Sequence, residues 1–216
     1  MNLDFMKWFA VGGGTLWAIV GLSILAVAVA LERLVALWNF LDRARTLADT
    51  VNRCLQRGAL AEGRTACERS RSPLADVFLI GFERKGRSTD AALEGAVDRA
   101  RQRMNLDLRA RMWIIGTIGA IAAFVGLLGT VWGILNAFKS MSEKGGAGFS
   151  VVSHDLSEAL ITTAAGILVA VVAVVIYNYF NQRLLRIAIE MKLFIEEFLE
   201  SLKGMEESSD GARKGS

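Results

Sequence analysis

Three stretches of the chain contain no Asp, Glu, Lys or Arg: Trp8 to Leu31, Met112 to Phe138 and Ala159 to Gln182. Each exceeds the roughly 20 residues that an α-helix needs to cross about 30 Å of hydrocarbon. In lipid every backbone N–H and C=O must be satisfied within the protein, and an uninterrupted run of this length does that as a helix. The expected fold is therefore all-α and membrane-embedded, with three transmembrane helices. Composition agrees, because 53% hydrophobic and 22% charged residues coexist in 216 positions only if the two classes are segregated along the chain. A cleavable signal peptide is the rival reading of the first run, since Ala28-Val29-Ala30 resembles a cleavage site and Lys7 a short basic flank. Against it stand the length of the run, Asp4 beside Lys7, and an apolar pattern that continues through Leu34, Leu37 and Leu41.

Basic residues give the orientation. Asn39 to Arg111 holds 15 Lys and Arg and the chain from Arg183 onward holds 6, while the N-terminus has Lys7 and the segment between the second and third runs has Lys139 and Lys144. By the positive-inside rule the long loop and the tail are cytoplasmic, and the N-terminus and 140–157 lie outside. The net charge of +3 then reflects membrane orientation and requires no nucleic acid. Cys54 and Cys67 fall in the cytoplasmic loop without Cys-x-x-Cys spacing or clustered histidines, which predicts reduced thiols rather than a disulfide or a zinc site.

The soluble parts read as helical. Gly58, Gly63 and Ser72-Pro73 punctuate the loop into helices over Leu41 to Gln56 and Leu74 to Glu83, and Gly86 with Ser88-Thr89-Asp90 offers a further helix start. From Leu93 the positions Val97, Ala100, Met104 and Leu108 recur at helical spacing. This predicts one helix from about Asp90 through the second span, on the order of 70 Å long. Beyond the third span, Leu184, Ala188, Met191, Ile195, Phe198 and Leu202 form a heptad-like seam. An amphipathic helix lying on the membrane is the competing reading, favoured by Arg183 and Arg186 and opposed by Glu196, Glu197 and Glu200. The expected layout is an external N-terminus and first span (1–38), a cytoplasmic helical domain (39–111), the second span (112–139), an external loop (140–157), the third span (158–182), a cytoplasmic C-terminal helix (183–204) and a disordered tail (205–216).

On a helical wheel the third span is two-sided. Glu158, Ala159, Thr162, Thr163, Gly166, Ala170, Ala173 and Tyr177 share one arc, and bulky aliphatic residues fill the other. The second span repeats this with Gly116, Gly119, Ala122, Ala123, Gly126, Gly129, Thr130, Gly133 and Ala137, whereas the first span carries only scattered small residues, as a lipid-facing helix would. Two readings fit such a face. Small residues let helices approach closely, as in Gly129-x-x-x-Gly133, and membrane threonines bond to their own carbonyls; alternatively the face lines a pore. Glu158 bears on the choice, because a lipid-facing charge is costly and an ionisable group at the edge of a span marks a candidate site. It could also simply meet the external water interface. His154 and Glu158, four apart, are conceivable metal ligands, but the chain has a single histidine. No nucleophile with its base, phosphate loop or Rossmann glycine pattern is present, so no enzyme is expected.

The segments GLLGTVWGILNAF (Gly126 to Phe138) and EALITTAAGILVAVVAVVIYNYF (Glu158 to Phe180) resemble the second and third transmembrane helices of the MotA/TolQ/ExbB proton-channel family, on the ExbB and TolQ side. The three-span layout and the helical loop extend the likeness to nearly the whole chain, while the larger cytoplasmic region of a flagellar MotA is missing. The resemblance implies a bacterial inner-membrane protein forming a pentamer, with spans two and three lining a pore that holds a pair of ExbD/TolR-like single-span helices. It implies protons as the coupling ion, no cofactor, and an effector of TonB, TolA or motility (gliding) type. It carries the family's span-two threonine onto Thr130, its glutamate onto Glu158 and its span-three threonine onto Thr163, with Thr162 adjacent and Gly126, Gly129, Gly133 and Gly166 as packing positions. The family's catalytic aspartate belongs to the partner helix. Two departures, no proline before Gly126 and Val172 where span three often has proline, imply straighter helices. A passive membrane scaffold and a stand-alone ion channel are the alternatives from other classes.

Overall fold

The computed structural model describes residues 13–87, 89–143 and 149–214. Trp8 to Gly12 of the first run, residues 144–148 of the expected external loop, the side chain of His154 and the last two residues lie outside the described residues. Among the described residues seven helices follow in order: α1 Gly13–Trp38, α2 Phe40–Gln56, α3 Leu60–Arg69, α4 Pro73–Arg84, α5 Asp90–Arg109, α6 Met112–Glu143 and α7 Phe149–Lys214. Three helical segments among the described residues, in α1, α6 and α7, are long and apolar enough to cross a membrane. The chain divides into two compact units, 1–33 with 111–181 and 34–110 with 182–216.

In the first unit, Ala26 and Val29 of α1, Ile115, Ile118 and Ala122 of α6, and Ala170 and Ala173 of α7 form one buried cluster. The glycines of α6 make close packing possible. Gly116 faces Tyr177, Gly119 faces Val174, Gly126 faces Thr163 and Gly166, and Gly129 faces Thr162. Numbers rise on one helix as they fall on the other, so α6 and α7 are antiparallel and meet along the small arcs read from the sequence. In lipid no hydrophobic drive brings helices together, and this backbone proximity supplies dispersion contacts instead. The first span, read as lipid-facing, buries one side and exposes the other: Leu16, Ile19, Ala26 and Val29 are buried, while Trp17, Ile24, Leu31 and Val35 are exposed.

The second unit packs α2 to α5 with the latter part of α7. Leu184, Ile187, Met191, Ile195, Phe198 and Leu202 are all buried, so the seam lies on protein rather than on a membrane surface, with Ile187 taking the place expected of Ala188. Phe78 stacks on Phe198 with ring centroids 4.4 Å apart, and Phe82 meets the same ring edge-on at 5.2 Å. Lys85 donates to the Leu202 carbonyl at 3.0 Å, Arg45 pairs with Glu190 at 3.1 Å, and Lys203 pairs with Glu94. Ser72 caps α4 by accepting from the Leu74 amide, with Pro73 in the first turn.

The backbone departs from the sequence reading at three places. The single helix expected from Asp90 through the second span is broken: Ala110 is extended at ψ 143° and Arg111 is left-handed at φ 64°. Apolar periodicity on both sides of this junction looked continuous because the break uses neither Gly nor Pro. Arg111 instead turns out and pairs with Glu32. Gly63, read as punctuation, lies inside α3, where a β-carbon would come within 3.2 Å of Phe82 Cζ, so its role is close packing. Gly58 and Gly86 do mark turns, at φ 76° and 71°. Finally, α7 continues through Lys214 past the expected end at 204, because nothing after Pro73 removes a backbone donor and helix propagation is easy once nucleated.

Candidate functional site

The residues singled out from the sequence cluster at one end of the α6 and α7 pair. Thr163 Oγ1 donates to the Gly126 carbonyl at 2.7 Å, and it also lies 3.3 Å from the Ala159 carbonyl of its own helix. Thr162 Oγ1 donates to the Glu158 carbonyl at 3.1 Å. Thr130 Oγ1 donates to the Leu127 carbonyl at 2.7 Å and so bonds within its own helix. Glu158 is half-buried. The antiparallel register places it level with the turn carrying Thr130 and Gly133, which are also half-buried.

Glycine makes these approaches feasible. A β-carbon at Gly129 would lie 2.7 Å from Thr162 Cγ2, and one at Gly166 would lie 2.7 Å from the Ala122 carbonyl oxygen and 2.8 Å from Gly126 Cα. With no β-carbon at 126 or 166, the two backbones can cross close enough for the Thr163 hydroxyl to reach a carbonyl on the other helix.

The chemistry of the hydroxyls follows from these bonds. A threonine hydroxyl has one proton and two lone pairs. With that proton committed to a carbonyl, the oxygen can still accept, from water, hydronium or a protonated carboxylic acid. To donate to a carboxylate, it must first leave its carbonyl. Thr162 is only 2% exposed and is held between α6 and α7. Thr130 and Thr163 are more open. Among the described residues, no group of His, Cys, Asp and Glu is arranged to hold a metal ion.

Two features were not singled out by the sequence reading. Thr15 of the first span brings its hydroxyl oxygen to 3.2 Å from the position a Gly129 β-carbon would occupy, so α1 also borders this site. At the other end of the helix pair, Thr117 and Asn178 line a groove between α6 and α7 together with Tyr177, which the sequence had placed on the small arc. A hydroxyl and a carboxamide inside otherwise apolar runs were the available signals.

Comparison with known proteins bears on what such a site does. Residues 69–193 match the MotA/TolQ/ExbB proton channel family. The Tol-Pal system protein TolQ of Haemophilus influenzae is 29% identical over 190 residues, covering 83% of each chain. The Tol-Pal system protein TolQ of Pseudomonas aeruginosa is 32% identical over 149 residues, 64% of each chain. The biopolymer transport protein ExbB of Xanthomonas campestris pv. campestris is 43% identical over 93 residues, 43% of this chain and 35% of that one.

Proposed function

Because the chain belongs to the MotA/TolQ/ExbB proton channel family, we propose that it is the ring-forming subunit of an inner-membrane motor driven by the proton-motive force. In this reading the chain assembles as a pentamer around a pair of ExbD/TolR-like helices. The N-terminus lies outside and the cytoplasmic helices inside, and motion passes to a TonB-, TolA- or motility-type effector. The observation that carries this is the Thr163 to Gly126 bond, which holds a hydroxyl at the crossing of spans two and three, within about a turn and a half of Glu158. Thr130 and Thr163 then present acceptor oxygens to the partner helix's aspartate, and Glu158 takes up or releases the proton at the outer end. Each proton descending 100 mV releases about 2.3 kcal/mol, several times thermal energy.

The scaffold reading has its own support, since the three hydroxyls all donate to carbonyls and Thr162 is buried in a packing contact. Glu158→Gln separates the two. It keeps size and most hydrogen bonding but removes titration, so a scaffold works normally while a proton path stalls. Complementation of a deletion strain, with pull-down of the ExbD-like partner, reads the difference. Loss of coupled activity with assembly intact supports the motor, and full activity rejects the proton role of Glu158.

A further inference from the structure

At the end of the helix pair away from Glu158, α6 and α7 border an open groove of about 590 Å3 whose walls are mostly apolar, Trp113 and Val174 among them. Gly116 opens it: a β-carbon there would sit 3.1 Å from the Tyr177 ring. Its polar lining is Thr117 on α6 with Tyr177 and Asn178 on α7; Thr117, Ala120 and Asn178 are exposed. Thr130, Thr162 and Thr163 bond to carbonyls, but among the described residues the Thr117 hydroxyl and the Asn178 carboxamide make no such bond. Both nevertheless lie inside charge-free runs. Asn178 precedes the first charge, Arg183, by more than a turn, and Thr117 lies more than a turn inside Met112.

A carboxamide and a hydroxyl without partners are poorly tolerated against hydrocarbon. A roomy site with several polar groups is, by contrast, what ordered water requires. We propose that this groove is a hydrated vestibule, a second polar station of the ion path at which water and hydronium reach the α6 and α7 interface from the side of the charged arms. Thr117 and Asn178 do not titrate there; they hold the water that carries the proton. The small-residue face from Gly119 to Gly126 lies between this station and the hydroxyls at Thr130 and Thr163, which are about 20 Å away along the helices. The proposal deepens the proton-motor reading and rests on it for the direction of flow, but hydration of the groove can be measured independently.

The test uses the full chain with its partner in inverted vesicles, with Cys54→Ser and Cys67→Ala as background and a membrane-impermeant maleimide as probe. Thr117→Cys and Ala120→Cys line the groove, and Val175→Cys, at the same level but on the aliphatic side, is the control. Thiol reaction needs a water-formed thiolate, so the groove positions should label at least about tenfold faster than the control. In parallel, proton flux is measured for Asn178→Leu and Asn178→Ser beside Glu158→Gln. Flux should fall severalfold in Asn178→Leu and be largely retained in Asn178→Ser, which keeps a polar group. Groove labelling with unaltered flux in Glu158→Gln rejects the role of Glu158 in the motor but keeps the vestibule. Reduced flux in Glu158→Gln without groove labelling overturns the vestibule, the groove then being filled by lipid or by another helix, and leaves the motor standing. Equal labelling of Val175→Cys also overturns it.

Discussion

The hydroxyl of Thr163 and the carbonyl of Gly126, 37 residues apart in sequence, lie 2.7 Å from one another. The bond joins the two spans beside the crossing of Gly126 and Gly166, which lack β-carbons, so the position of the hydroxyl depends on the glycines as much as on the threonine. Thr163→Ser should keep the bond and most function. Thr163→Val keeps the shape but loses donor and acceptor together, and should lower stability in detergent by about 0.5–2 kcal/mol while also reducing coupled activity. Thermal unfolding followed by partner-dependent proton flux checks both.

Replacement of the crossing glycines should be far more damaging than changes on the outer face. Gly166→Leu drives a side chain into the Ala122 carbonyl and Gly126 Cα, and Gly129→Leu into Thr162, so assembly should fail in both. Val171 and Val175 are 55% and 62% exposed, and leucine there should be tolerated. Native mass spectrometry should show a pentamer for the valine variants and monomer or aggregate for the glycine variants. Equal damage on both faces would mean that the helix faces are wrongly assigned.

Gly81 provides the corresponding test in the second unit. A β-carbon at this position would lie 2.5 Å from Phe198 Cε1, so the ring that stacks on Phe78 must move. Gly81→Ala should destabilise this unit by about 1–3 kcal/mol, and Phe198→Ala, which empties the site, by about 3–5 kcal/mol. Limited proteolysis of the loop region should register the same order.

Burial pushes the Cys67 thiol up to about 12, with Cys54 and Glu68 adding to the shift. A raised thiol favours the neutral form in the folded state. Its contribution to stability is therefore present at neutral pH and lost as pH rises above the ordinary thiol value toward 12. In the native protein at pH 8, Cys67 should react with iodoacetamide orders of magnitude more slowly than after denaturation. Rapid native modification, located by mass spectrometry, would contradict the packing of α3.

The Asp98 carboxyl is held below the usual carboxylate range chiefly by its hydrogen bonds from Arg101, with Gln102 also donating. A depressed carboxylate stabilises above its unfolded value and loses that contribution as pH falls through the folded one. The pair is half-buried but lies within one helix at a solvent-facing edge, so Asp98→Asn should change stability by no more than about 1 kcal/mol. A larger loss in a pH-dependent thermal melt would indicate that Asp98 supports more than its own turn.

The sequence by itself determined what depends on local chemistry. Three charge-free runs predicted three helices able to cross a membrane, because lipid leaves the backbone few other options, and the seam from Leu184 to Leu202 predicted a packed arm because its period is helical. The small arcs around Gly126 and Gly166 were legible as special faces, for packing or for a pore. Only the tertiary structure decided how those faces are used. Thr162 and Thr163 became distinct in environment, one buried and one bridging to Gly126, because that depends on the antiparallel register and not on their shared TT dipeptide. The break at Arg111 was invisible for the same reason: a left-handed arginine is held by its partner Glu32, 79 positions away, and no propensity or spacing records so distant a contact. Thr117 and Asn178 were two isolated polar residues in apolar text until the register of two helices placed them on one groove.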